Sequence, residues 1–207
     1  MPDYHLPLYP DHTYHIFSRA TGNEKIFTEE KNYSFFLNKY QQHILPVADT
    51  YAFCLLPNHF HFLIKIKSID AIEKYYIQKK KAKNFTPEVV SDFIMERFSN
   101  SLNSYTKAFN KTYNRKGSLF MDYLRRIEVS TDDQFGATIF YIHKNSVHHH
   151  YCKTISEWAW SSYKFLLSNQ KTNLLREEVM SFFGSKEQFI SFHQQPIYLK
   201  NAAIIDE

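Results

Sequence analysis

The stretch Cys54-Leu55-Leu56-Pro57-Asn58-His59-Phe60-His61-Phe62-Leu63-Ile64-Lys65-Ile66 decides how the rest of the chain is read. Entered through a turn at Pro57-Asn58, it alternates as a β-strand does. Phe60, Phe62, Ile64 and Ile66 fall on one face, and His59, His61 and Leu63 on the other. The apolar face predicts a sheet packed on a core. The second face carries two imidazoles two residues apart on a stiff element, close enough to share one divalent ion. A bare His-x-His pair serves equally well as two half-buried histidines bonded to neighbours, so the pair alone leaves both roles open.

Upstream, Thr50 to Leu56 reads as another strand, and a link as short as Pro57-Asn58 makes the two antiparallel. Tyr14-His15-Ile16-Phe17-Ser18 reads as the first strand, followed by a polar turn through Thr21-Gly22-Asn23. Between these strands Thr28 offers an N-cap, with Glu29 and Glu30 in the first turn, and Tyr33, Phe36, Leu37 and Tyr40 recur at helical spacing as far as about His43.

Downstream, Ile69 to Gln78 predicts a helix that runs into Lys79-Lys80-Lys81-Ala82-Lys83, an exposed linker or a nucleic-acid contact. Thr86-Pro87-Glu88 opens a long amphipathic helix on which Val90, Ile94, Phe98, Leu102, Tyr105, Phe109 and Tyr113 recur every three or four residues. It stops at Asn114-Arg115-Lys116-Gly117, and the segment from Tyr123 through Val129, with Arg125-Arg126, reads as a strand. Arginines beside a glycine turn suit phosphates through paired N–H donors, or serve simply as solubilising surface. Thr131-Asp132-Asp133-Gln134 has the form of a capping box, and the helix it opens carries Tyr141 and Asn145, four apart and so on one face. Beyond His148-His149-His150 and Trp158-Ala159-Trp160-Ser161-Ser162-Tyr163, two short helices are expected at about Leu174 to Phe183 and Lys186 to Phe192.

Composition bounds the classes. The chain has 207 residues, 43% of them hydrophobic, and only four glycines, which fits a packed domain and excludes low complexity. With 15 Tyr and 19 Phe, any single tyrosine starts as a candidate for the core. Met1-Pro2-Asp3-Tyr4-His5 has neither a basic segment nor an apolar run, and the two cysteines, Cys54 and Cys152, lie far apart, so a soluble cytoplasmic protein with free thiols and no membrane partner is expected. Between Lys74 and Arg126 twelve Lys or Arg stand against four acids, a local balance of +8 in a chain whose formal net charge is +4. Such a basic middle suits a polyanion, and equally a solvated helical face.

Five segments, taken in order, resemble the REP-associated tyrosine transposases, single-tyrosine HUH enzymes of bacterial insertion sequences. They are Tyr14-His15-Ile16, Leu56-Pro57-Asn58-His59-Phe60-His61, Gly117-Ser118-Leu119-Phe120, Tyr141-Ile142-His143-Lys144-Asn145 and Trp160-Ser161-Ser162-Tyr163. The resemblance implies an α/β (α+β) architecture, a ferredoxin-like antiparallel sheet with packed helices, assigned to 1–165; from chain length and helical pattern a C-terminal helical tail is expected over 166–207. It implies metal-dependent cleavage and rejoining of single-stranded DNA beside a hairpin, through a 5′-phosphotyrosine, by a monomer or a homodimer. By motif position His59, His61 and Asn145 take the metal-ligand roles and Tyr141 the nucleophile role, with Tyr151 and Tyr123 as fallbacks. Arg115, Lys116, Arg125 and Arg126 are the expected DNA contacts. Family members commonly carry Asn-Pro where this chain has Asn145-Ser146, so its tyrosine helix is expected to end less sharply.

The chemistry is coherent on its own terms. A cleaving enzyme must neutralise the non-bridging oxygens of a phosphodiester and place a nucleophile in line with the leaving oxygen. A divalent ion, Mg or Mn by preference for phosphoryl transfer, supplies the first, and a phenol, whose pKa of ~10 a nearby cation lowers, supplies the second. Two other classes compete: a DNA-hairpin-binding protein that has lost its chemistry, and a zinc hydrolase acting through activated water.

Overall fold

The computed structural model describes residues 6–81, 84–121 and 124–195. Four strands form one antiparallel sheet: β1 (Thr13–Arg19), β2 (Ala48–Leu56), β3 (His59–Ile66) and β4 (Arg125–Glu128), in the order β2-β3-β1-β4. Helix α1 (Glu30–Ile44) joins β1 to β2, and α2 (Ile69–Lys80) and α3 (Val90–Thr112) join β3 to β4. This is the βαββαβ ferredoxin-like arrangement. A fourth helix, α4 (Asp132–His148), follows the last strand, and α5 (Tyr163–Leu167), α6 (Arg176–Phe183) and α7 (Lys186–Gln194) complete the described chain.

The alternation expected for β3 holds. Phe60, Phe62, Ile64 and Ile66 join one core with Tyr14 and Ile16 of β1, and α1 and α3 cover it with Phe36, Tyr40, Phe98, Tyr105 and Phe109. Aromatic geometry accounts for much of this core: Phe36 meets Tyr105 edge-on at 5.2 Å, and Tyr40 stacks on Phe62 at 4.2 Å. Such pairs add about 0.5–1.5 kcal/mol each beyond the apolar area they bury. Their hydroxyls are satisfied too, Tyr40 on Thr50 Oγ1 at 2.8 Å and Tyr105 by donating to the Ile26 carbonyl.

On the other face Leu63 packs with Ala52, Cys54 and Leu56 of β2 and with Ile139, Tyr141 and Ile142 of α4. From Gly136 to Asn145 every α4 residue except Lys144 is buried, which requires cover on its outer side as well. That cover comes from α6 and α7, which lie beyond the boundary expected at 165 and contribute Val179 and Phe189 to this core. Here α4 runs on past Asn145 to His148, as its lack of a proline leads one to expect.

Helix starts follow local hydrogen bonds. Asn32 Oδ1 accepts from the backbone N–H of both Thr28 and Glu29, so α1 begins one residue later than a Thr28 cap predicts, with Glu29 as the cap. At α4, Thr131 Oγ1 accepts from Gln134 N at 3.2 Å while the Gln134 side chain accepts from Ser130 N, the expected capping pair displaced by one residue at its return bond. The edge of β2 is closed by the Trp160-Ser161-Ser162 segment, through Leu55 N to Trp160 O and Ser162 N to Phe53 O, both 2.9 Å. This motif therefore has a structural use: it pairs with the outer strand. Cys54 and Cys152 are free thiols, and no helix among the described residues is long and apolar enough to cross a membrane.

Candidate active site

Four residues from two elements meet on the α4 face of the sheet. His59 and His61, at the start of β3, are each 2% exposed. Tyr141 and Asn145, one turn apart on α4, face them: the Tyr141 ring lies edge-on to His61 at 5.4 Å, and Asn145 Oδ1 sits 2.9 Å from His59 Nε2. The tyrosine thus meets histidines of its own chain. Two further histidines join the cluster. His15 of β1 lies 3.0 Å from His61 Nδ1 through its Nε2, and the His149 ring, at the end of α4, is edge-on to His59 at 4.6 Å.

Hydrogen-bond accounting shows what this arrangement can hold. His59 Nδ1 lies 2.8 Å from Asn58 Oδ1, while its Nε2 faces the Asn145 amide oxygen. A neutral imidazole has one N–H and cannot donate to both oxygens. With the proton given to Asn58, the His59 Nε2 lone pair faces the Asn145 amide, whose oxygen is the group able to share a cation with it. The 2.9 Å separation is about that of adjacent ligands around an ion held at ~2.0–2.1 Å. His61 Nε2 and Asn145 Nδ2 are buried without a hydrogen-bond partner among the described residues. Burial, and next the neighbouring imidazoles of His15, His59 and His149, hold His61 well below the usual imidazole range, in the neutral form that ligates. Among the described residues no group of three His, Cys, Asp or Glu is placed to hold a metal ion, and the other oxygen donor at this pair of imidazoles is the Asn145 amide. The donor set of two imidazoles and one amide oxygen fits a divalent ion with coordination positions to spare.

A buried relay fixes α4 against the sheet from its far side. His193 Nδ1 donates to Phe189 O at 2.8 Å, which leaves its Nε2 to accept from His143 Nδ1 at 2.8 Å. His143 Nε2 in turn accepts from Ser162 Oγ at 2.8 Å, and Ser162 Oγ accepts from Phe53 N at 2.8 Å. Both imidazoles are neutral in this arrangement, and the Ser162 hydroxyl also lies 3.3 Å from Phe53 O. Burial pushes His143 well below the usual imidazole range and His193 down to about 4. Because the folded pKa of His193 lies below its unfolded value, its contribution is complete above pH ~6.5 and is lost as pH falls toward 4, an effect of about 3 kcal/mol. Urea titrations at pH 7 and pH 4.5 should show this loss in the wild type and a flatter dependence in His193→Gln.

No family model matches the sequence, and no curated protein matches it. Among solved structures, the chain superposes on a REP-associated tyrosine transposase bound to a REP hairpin with a TM-score of 0.58, over 82% of this chain and 87% of that one, at 13% sequence identity. The chain has the fold of a REP-associated tyrosine transposase. At this identity the likeness is one of fold.

Within this transposase fold, the basic residues named from the sequence divide. Adjacent residues on a strand point to opposite faces, so Arg125 pairs with Phe17 on the histidine side while Arg126 pairs with Ile16 on the other. Arg126 is 8% exposed, donates through Nε to Leu6 O and approaches Met95 Sδ at 3.3 Å. This parity puts the two arginines on opposite faces of the sheet. Arg115 pins the turn after α3, bonding Asn110, Gly117 O, Ser118 O and Glu24, whereas Lys116 is exposed. Gly117 has φ +88, which suits this turn. In the lysine run, Lys80 pairs with Glu96, and Ala82 and Lys83 lie outside the described residues. The Tyr151 ring packs on Trp158 at 5.6 Å, and Tyr123 lies outside the described residues. No site role was expected from the sequence for His15 or Asn58, and His149 was expected to bind metal at most opportunistically, with His148 and His150. For His15 the signal was its alternation with Ile16, which sets it on the histidine side.

Proposed function

We propose that this protein is a metal-dependent DNA strand transferase that cleaves and rejoins single-stranded DNA beside a hairpin, with Tyr141 as the nucleophile. The observation that carries the reading is the meeting of Tyr141 and Asn145, one helical turn apart, with His59 and His61 on the fold of a transposase whose structure contains a DNA hairpin. His59 Nε2, His61 Nε2 and Asn145 Oδ1 would hold the ion, Mg or Mn for this chemistry. When bound, it would neutralise charge on the scissile phosphate and favour ionisation of the nearby phenol.

The residues then divide the work. Asn145 and Tyr141, fixed on one rigid helix, keep the nucleophile at a constant offset from the ligands. The Tyr141 oxygen forms a bond to phosphorus, the bond to the 3′ oxygen breaks, and that strand leaves with a 3′ hydroxyl after taking up a proton. The 5′ end stays on Tyr141 as a phosphotyrosine, and attack by a 3′ hydroxyl reverses the step and rejoins a strand. Keeping the ester linkage is the advantage of a tyrosine over activated water. The free thiols of Cys54 and Cys152 are in keeping with a cytoplasmic setting.

Arg125, on the histidine side of the sheet, would contact DNA near this face. Arg125→Ala should weaken binding and reduce the salt slope by about one, whereas Arg126→Ala should lower stability and leave the slope unchanged. Fluorescence anisotropy of a hairpin oligonucleotide across a sodium chloride series separates the two.

One observation favours a second reading, a hairpin-binding protein without chemistry: Tyr141 is only 8% exposed, so the site must open to admit a phosphodiester. Incubation with Mn²⁺ and a hairpin oligonucleotide labelled differently at its 5′ and 3′ ends, followed by denaturing electrophoresis, distinguishes the readings. Strand transfer predicts a protein adduct carrying the 3′ label and a released 5′-labelled piece, both absent with EDTA. A mobility shift with neither product supports the binding protein.

A further inference from the structure

We propose that His15 is a positioning residue that holds His61 in the tautomer with its proton on Nδ1, so that the His61 Nε2 lone pair is kept for a ligand. The strand register sets the pair up: β1 and β3 are antiparallel, with Phe17 opposite His61 and His15 opposite Leu63, so His15 and His61 sit diagonally on one face of the sheet. Their rings lie 5.1 Å apart, and His15 Nε2 is 3.0 Å from His61 Nδ1. Both residues are buried, at 1% and 2% exposure.

One proton sits between these two nitrogens, and its owner decides the state of His61. If His15 donates, the His61 proton moves to Nε2, which is buried and has no acceptor among the described residues. An orphaned buried N–H loses its hydration with nothing to replace it. If His61 donates, Nδ1–H is satisfied on His15 and Nε2 carries a bare lone pair. The second arrangement avoids the orphaned donor. It also repeats what the neighbouring strand residue does, because His59 Nδ1 faces Asn58 Oδ1 while its Nε2 faces the site. Two histidines two residues apart thus each have a dedicated Nδ1 partner, an amide oxygen for one and an imidazole for the other. Metal-ligating histidines are oriented by such partners, whose removal typically costs ~10–100-fold in metal affinity.

This inference rests on the reading of His61 as an ion ligand for its purpose, although not for its geometry, and the test keeps the two apart. Long-range ¹H–¹⁵N correlation spectra of the metal-free protein at pH 7.5 report which His61 nitrogen is protonated, and Mn²⁺ titration followed by electron paramagnetic resonance reports affinity. The expected result is Nδ1–H on His61 in the wild type, with His15→Leu losing that tautomer and binding Mn²⁺ about 10–100-fold more weakly. His15→Gln, whose Oε1 can accept the same bond, should retain both. Finding His61 protonated at Nε2 in the wild type overturns the proposal, and does so even if His15→Leu fails to fold. Unchanged Mn²⁺ affinity in a folded His15→Leu overturns it as well. A wild-type protein that shows Nδ1–H but takes up no Mn²⁺ bears out the role of His15 and overturns the metal reading of the site.

Discussion

Tyr141→Phe is expected to abolish the covalent DNA adduct and to lower cleavage by at least ~10³-fold, the scale seen when a nucleophile is removed from a covalent mechanism. The substitution deletes one oxygen from a ring that packs edge-on against His61 and His15. The hydrocarbon part of that packing remains, so fold and hairpin affinity should be retained. A comparison of wild type and variant with the same labelled hairpin checks both halves. Residual cleavage near the wild-type rate would instead favour activated water as nucleophile, the chemistry of a hydrolase. The outcome also separates Tyr141 from Tyr151, whose ring packs on Trp158.

The second large effect is expected from the ligands. His61→Ala removes an imidazole that is buried, neutral and, among the described residues, without a hydrogen-bond partner on Nε2. Cleavage should become undetectable at millimolar Mn²⁺, while hairpin binding changes less than about twofold, because the phosphate contacts that dominate DNA affinity come from cationic side chains. His59→Ala should act in the same direction and free the Asn145 amide, which lies 2.9 Å from His59. Isothermal titration with Mn²⁺ alone, followed by cleavage assays, measures the two losses separately. An His61→Ala protein that cleaves with wild-type metal dependence would remove His61 from the site.

Much of this arrangement was legible because a strand has a period of two. The β3 segment has apolar residues at every even position from Phe60 to Ile66 and histidines on the other parity, so both its burial and its chemistry follow from one pattern. The i, i+4 spacing of Tyr141 and Asn145 likewise puts both on one face before any coordinates are considered. What one sequence conceals is register between distant segments. His15 and His61 are 46 residues apart, and nothing local indicates that their rings touch. Arg125 and Arg126 are the opposite case: strand parity already implied that adjacent arginines part company, and the basic composition of the region obscured it. The start of α1 moved by one residue because the Asn32 side chain takes both the Thr28 and Glu29 N–H groups, a choice that propensity alone does not reveal. The role of α6 and α7 was concealed for a related reason. Their short amphipathic patterns do not specify a partner, and the signal lay in α4, too apolar around its circumference to have an exposed side.

In the proposed reaction Tyr141 becomes covalently joined to DNA. The most direct test of this step is mass spectrometry of the nuclease-trimmed, proteolysed adduct formed with Mn²⁺ and a hairpin oligonucleotide. The expected product is a nucleotide joined through its 5′ phosphate to the peptide containing Tyr141. A nucleotide on any other residue, or stoichiometric hairpin binding that leaves every peptide unmodified, would contradict it.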